Sequence, residues 1–235
     1  MSDVSAGDLP RLVILLSGRG SNFRAIHDAI VAGKINAEIA AVISDRPDAP
    51  GLQLAADAGI DTVTLERARF AGREAFERGL ETAIAGFEPK YVVLAGFMRV
   101  LGADFVNRHL GSLINIHPSL LPRHRGLNTH QRVLDAGERE HGASVHFVTP
   151  ALDAGPVLSR VTIDVRDDDD ADMLADRLLP LEHRLYPATL ALLLNHRVEL
   201  RHETIQIDDQ ALDRPLDLDR DLDPDGHLLD HRHGG

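Results

Sequence analysis

The sequence predicts a Rossmann-like α/β fold with a mostly parallel central sheet and helices on both of its faces. Three observations predict it. Short apolar runs alternate with stretches of helical spacing through the first half, and the first run ends in a glycine turn. A later short run ends in Asn115 and His117, at the strand end where open α/β sheets place their chemistry.

Taken in order, Leu12 to Leu16 is continuously apolar and ends in Ser17-Gly18-Arg19-Gly20, after which Ser21 to Val31 has helical spacing. That is a strand, a turn and a helix. Ala37 to Ser44 reads as a second strand, Leu52 to Ala58 as a helix, Thr62 to Leu65 as a short strand, Arg73 to Ala85 as a long helix and Tyr91 to Ala95 as the next strand. Recurring strands with helices between them imply right-handed crossovers and parallel pairing. The second half differs. After a strand at Ser112 to Ile116 come a proline-bounded loop, a helix near His130 to Ala136, and β-rich runs at Ala143 to Val148 and Val157 to Val165 that suit antiparallel pairing. A helix from Ala171 to Leu194 closes the globule. The expected organisation is a flexible extension over 1–10, one domain over 11–207 and an acidic, disordered or loosely docked tail over 208–235, where aspartate, leucine, proline and histidine follow no periodicity.

A chain of 235 residues can bury a substantial core without staples, and with no cysteine it has no disulfide, thiolate nucleophile or cysteine-ligated zinc. That composition is compatible with a cytoplasmic location. There is no apolar run of membrane-spanning length, and the net charge of −12 argues against a general nucleic-acid binder. His227, His231 and His233 lack carboxylate or cysteine partners at ligand spacing, so no metal site is expected.

Asn115 and His117 point the same way from their strand, because residues two apart share a face. An amide N–H beside an imidazole suits acyl transfer, in which a carbonyl oxygen gains charge and an amine loses a proton. Either residue alone would equally fit a strand end that caps its loop. Gly18-Arg19-Gly20-Ser21-Asn22-Phe23 begins like a dinucleotide fingerprint, but Phe23 stands where the third glycine belongs, which argues against a nicotinamide enzyme with Asp45 as its ribose ligand. The amides of Gly20, Ser21 and Asn22 at a helix N-terminus suit one phosphate monoester, although Ser21 or Asn22 could be only the N-cap. Asp153, before Gly155-Pro156, would favour a nearby imidazolium or simply form a turn. His130, His141 and His146 compete with His117, and His146 between Val145 and Phe147 reads as a hydrogen-bonded core residue.

Asn115-Ile116-His117-Pro118-Ser119-Leu120-Leu121-Pro122, with Gly142 to Val148 and Leu152-Asp153-Ala154-Gly155-Pro156, resembles the folate-dependent formyltransferases, in particular the branch that serves purine biosynthesis. The likeness runs from about Arg11 to about Leu200 and includes Ser17 to Asn22, Ala95 to Arg99, Leu181-Glu182-His183 and Tyr186-Pro187. It implies formyl transfer from 10-formyltetrahydrofolate to the amino group of glycinamide ribonucleotide, with no metal. Asn115, His117 and Asp153 would be catalytic. The nucleotide would contact Gly20, Ser21, Asn22 and Leu179, Pro180, Leu181, Glu182. The folate would contact Arg73, Met98, Arg99, Val100, Leu101, Asn115 and Thr149, Pro150, Ala151, Leu152, Asp153.

The resemblance leaves monomer and homodimer open. Within the same family, a tRNA formyltransferase would carry a tRNA-binding domain that the acidic tail does not resemble, and a formyltetrahydrofolate deformylase would carry an N-terminal regulatory domain. A non-catalytic nucleotide- or folate-binding module is the rival from outside the enzymes. Two departures stand out: Ala154 replaces a glycine common in the family, and Asn128 replaces a histidine found in many relatives. The first bears on the geometry of the Asp153 loop.

Overall fold

The computed structural model describes residues 9–229, and the chain divides after Arg99 into two compact units. The fold class is the expected one, α/β with a mostly parallel central sheet flanked by helices. The first unit contains β1 (Arg11–Leu16), α1 (Ser21–Val31), β2 (Glu38–Ser44), α2 (Pro50–Asp57), β3 (Thr62–Thr64), α3 (Arg73–Ala85) and β4 (Tyr91–Leu94). Its strands lie in the order β4-β1-β2-β3 and pair in parallel throughout. Leu12 to Leu16 are completely buried, which is why β1 reads as an unbroken apolar run rather than an alternating one. α1 turns Phe23, Ile26 and Ala29 inward at helical spacing.

The second unit contains α4 (Ala103–Arg108), β5 (Leu113–His117), α5 (Thr129–Asp135), β6 (Glu140–Phe147), β7 (Val157–Asp164), α6 (Ala171–Asn195), β8 (Val198–Arg201), β9 (Thr204–Ile207), β10 (Gln210–Ala211) and β11 (Leu216–Asp217). Here the order is β11-β7-β6-β5, with β5–β6 and β6–β7 antiparallel and β7–β11 parallel. β8, β9 and β10 make a separate three-stranded sheet. The Asp170 carboxylate caps α6 by accepting from the Met173 N–H at 2.8 Å. Inside α6, the Tyr186 hydroxyl donates to the Ile114 carbonyl at 3.1 Å and ties the helix to β5. Complete burial pushes that phenol well above its usual titration range, so it serves as a neutral donor. Among the described residues no helix is long and apolar enough to cross a membrane.

Over 208–229 the structure differs from the expected loose tail. Leu216, Leu218 and Leu222 are buried, and β11 adds a strand beside β7. Arg160 pairs with Asp217 at 2.6 Å, while Arg214 grips Asp221 with two bonds of 2.5 and 2.8 Å. Gly226 lies directly on α6: a Cβ there would sit 2.4 Å from the Ala191 Cβ. Arginines neutralise several of the aspartates that suggested solvation, and the few leucines among them do the docking. The 1–10 extension falls mostly outside the described residues, as do His231 and His233, whereas His227, expected to lack a carboxylate partner, has one in Asp223, whose Oδ2 lies 3.1 Å from its Nδ1. Pro10 is tied to β2, since its carbonyl accepts from the Glu38 N–H at 3.0 Å.

Candidate active site

β5 and β6 build the site by register. Antiparallel pairing sets Asn115 opposite His146 and His117 opposite Ser144. The Asn115 Nδ2 accordingly donates to the His146 Nε2 at 3.1 Å. The other ring nitrogen of His146 lies 3.0 Å from the Phe147 carbonyl, which can only accept, so Nδ1 carries the proton and Nε2 offers its lone pair to Asn115. Burial lowers the His146 pKa to about 4, against the opposing pulls of the Phe147 carbonyl and Asp153. A neutral His146 therefore fixes the amide of Asn115 and leaves its second N–H to act elsewhere.

The same logic assigns the proton on His117. Its Nε2 lies 3.0 Å from the His124 carbonyl, so Nε2–H donates and Nδ1 is left facing the Asp153 Oδ2 at 3.6 Å. Both side chains are nearly buried, which strengthens their mutual field. Asp153 also reaches toward the His146 Nε2, at 3.9 Å, and accepts from the Gly126 N–H at 2.9 Å. Asn115, His146, Asp153 and His117 thus form one connected cluster.

The loop that delivers Asp153 depends on Gly155. A Cβ there would fall 1.8 Å from the Phe147 carbonyl oxygen, so only glycine lets the chain fold back over the end of β6. The left-handed residue of this loop is Asp153 itself, at φ 44°, and not Ala154. Alanine in place of the common glycine therefore brings no backbone strain. Asn128 takes φ 57° at the start of α5, a conformation that asparagine tolerates better than most residues. Two of the rival histidines pair with each other. His130 Nδ1 and His141 Nε2 lie 2.8 Å apart, and burial, followed by the neighbouring His130, lowers the His141 pKa to about 4.

In the first unit, α1 begins after Gly20, which has φ 75° and supplies no side-chain cap. A Cβ on Gly20 would lie 2.8 Å from the Gly51 Cα, so the turn needs glycine for close approach as well as for its backbone angle. Neither Ser21 nor Asn22 is the N-cap; both sit in the first turn, at the positive end of the helix. Asp45 already has partners: Oδ1 accepts from Ser17 Oγ at 2.6 Å and Oδ2 from Arg99 Nε at 2.5 Å. It is a latch on the segment after β4, where the Met98 N–H also donates to Ser17 Oγ at 2.8 Å.

Among the other expected contacts, Met98 and Val100 are exposed and Leu101 is buried. Arg73 is exposed at the start of α3, 3.7 Å from Glu77 of its own helix. Thr149 to Asp153 form the turn before Gly155, with Pro150, Ala151 and Leu152 exposed. Leu179, Leu181 and Glu182 are half-buried on α6, and Pro180 is exposed there. Among the described residues no group of three His, Cys, Asp or Glu is set to hold a metal ion. Sequence reasoning singles out Asn115, His117 and Asp153, which the structure brings into one cluster, but it misses the carbonyl of His124 and the N–H of Gly126. Backbone groups of an irregular loop leave no residue-type signal.

Comparison with known proteins agrees with this chemistry. The family model described as Formyl transferase matches residues 10–190. The chain is 44% identical over 201 residues to the phosphoribosylglycinamide formyltransferase of Escherichia coli, covering 86% of this chain and 95% of that protein. Its counterpart of the same name in Haemophilus influenzae is 34% identical over 204 residues, covering 87% and 96%. Among solved structures, the phosphoribosylglycinamide formyltransferase of Coxiella burnetii in complex with CHES superposes with a TM-score of 0.86 at 43% identity, covering 89% of this chain and 99% of that one.

Proposed function

The chain belongs to the formyl transferase family, and on that premise we propose how its residues carry the activity. It is an enzyme that transfers a formyl group to the amino group of glycinamide ribonucleotide in purine biosynthesis. We take 10-formyltetrahydrofolate as the donor and the cytoplasm as the location. The observation that carries the mechanism is the cluster in which His117 lies between the His124 carbonyl and Asp153, while neutral His146 fixes the Asn115 amide.

The substrate amine attacks the formyl carbon, and the carbonyl oxygen becomes an oxyanion. The second N–H of Asn115 and the positive charge of protonated His117 stabilise it, and Asp153 supports that charge. Because the His117 Nε2–H is committed to a carbonyl, Nδ1 is the ring atom that exchanges a proton, directly or through a water, near Asp153. Collapse of the intermediate breaks the bond from carbon to the folate nitrogen, which takes up the proton that the amine gave.

The Gly20, Ser21 and Asn22 turn takes the substrate phosphate at the positive end of α1. Leu179, Pro180, Leu181 and Glu182 hold the rest of the nucleotide. Folate contacts fall to Arg73, Met98, Arg99, Val100, Leu101, Asn115 and the turn from Thr149 to Asp153. The test is to mix the purified protein with 10-formyltetrahydrofolate and glycinamide ribonucleotide, with a water-only control, and identify the product. Formylated nucleotide is expected. Formate released equally in both arms would mean hydrolysis instead.

A further inference from the structure

The loop from Leu121 to Asn128 touches both members of the catalytic pair, giving a carbonyl to the His117 Nε2–H and an N–H to the Asp153 Oδ2. The loop is itself irregular, with His124 at φ 52° and Asn128 at φ 57°. Its placement therefore needs an outside hold. Ser119 Oγ donates to the Arg123 carbonyl and Arg132 Nη1 to the Arg125 carbonyl, and Glu138, just past the end of α5, holds the side chains between them: Oε1 accepts from the His124 Nε2 at 2.7 Å, and Oε2 accepts from the Arg123 Nη1 at 2.7 Å. The Glu138 N–H donates to the Val133 carbonyl at 3.2 Å, so the carboxylate is anchored to the last turn of α5. The His124 ring is largely buried, and charge-assisted bonds of this length are among the stronger ones a side chain makes.

We infer that Glu138 is a positioning residue for the transfer reaction, setting the tautomer of His117 through the His124 carbonyl. The chain of contacts is short. Glu138 holds the His124 side chain, which holds the His124 backbone in its left-handed conformation, which aims the carbonyl at His117 Nε2. With that carbonyl in place, neutral His117 carries its proton on Nε2 and presents an open Nδ1 beside Asp153. Without it, the competing tautomer with Nδ1–H directed at the Asp153 carboxylate becomes favourable. The open nitrogen then faces the wrong side. Glu138 does not touch the His117 ring, so its effect runs through geometry.

The catalytic consequence rests on the function proposed above, but the tautomer is measurable alone. The protein is labelled with ¹⁵N-histidine, and the His117 ring is observed at alkaline pH, its signals identified by their absence in a His117→Gln sample. Wild type should show a single tautomer protonated on Nε2. Glu138→Ala should shift the ring toward the Nδ1–H form and lower kcat roughly 10-fold, with the KM for the amine substrate changed less than about 2-fold. Glu138→Gln keeps an acceptor for the His124 ring and should stay within about 3-fold of wild type with the Nε2–H tautomer retained.

His124→Ala cuts the same link from the other end and should reproduce the alanine result if Glu138→Ala does not fold. A His117 ring that keeps its Nε2–H tautomer in both alanine variants overturns the inference, whatever kcat does. A tautomer shift in a protein that transfers no formyl group would uphold the positioning and sink the function proposed for it.

Discussion

His146→Gln separates the acid sensitivity of the site from its shape. Glutamine offers an acceptor for the Asn115 amide and a donor for the Phe147 carbonyl, so it can replace both hydrogen bonds of the ring, but it does not titrate. In wild type, burial depresses the His146 pKa from 6.5 to about 4. The sign follows from proton counting: between those values the unfolded chain binds a proton that the folded protein refuses, so stability rises with pH across that window. No penalty applies above about pH 6.5, and it grows as pH falls toward 4. Each pKa unit is ~1.4 kcal/mol, so the full loss is on the order of 3 kcal/mol.

Urea unfolding of wild type and variant at several pH values between 7 and 4 measures it, and taking the difference between the two proteins cancels the other titrating groups. The variant should be the less stable protein near neutrality, and the gap should close or reverse toward pH 4. A difference that stays constant with pH would mean that His146 is not held neutral by burial.

Three further outcomes are expected. Leu222→Ala should cost about 2–5 kcal/mol of stability by chemical denaturation, since Leu222 is fully buried and part of the docked segment over 208–229; a cost near zero would return that segment to a loose tail. Gly155→Ala should cut kcat by roughly 10²-fold in steady-state assays, because the new Cβ would meet the Phe147 carbonyl at 1.8 Å and push Asp153 away from His117. Glycinamide riboside, which lacks the phosphate, should bind on the order of 10²-fold more weakly than the nucleotide in calorimetry; equal affinities would remove the phosphate role of Gly20 to Asn22.

The elements most legible in the sequence are those whose periodicity is long and uninterrupted. α1 and α3 fall at Ser21–Val31 and Arg73–Ala85 as their spacing predicts, because each repeats a buried apolar residue once per turn. α2 starts two residues before its apolar spacing does, at Pro50, whose fixed φ suits a first helical turn. α4 escapes a reading of the sequence because six residues with only Phe105 and Val106 buried make no period. The β8–β9 hairpin turns at His202 and Glu203, both with positive φ, where glycine or asparagine would have announced it.

In the site, Asn115 and His117 are visible because they share a face of one strand. The partnership of Asn115 with His146 depends on the β5–β6 register, which one chain's local pattern does not specify. The alternation around His146 does mark it as a hydrogen-bonded core residue, and its partner gives that role a consequence. The docked tail is hidden because three buried leucines are diluted among aspartates, and one of the arginines that neutralise them, Arg160, lies far away in sequence.

If His117 handles charge and protons in formyl transfer, the single-turnover rate of His117→Ala must fall. With enzyme in excess over 10-formyltetrahydrofolate and with glycinamide ribonucleotide saturating, the variant should transfer formyl roughly 10²-fold or more slowly than wild type, the range for loss of a positioned acid–base or oxyanion group. Transfer at the wild-type rate would exclude His117 from the chemistry, and a matching loss in His130→Ala would move it to another histidine.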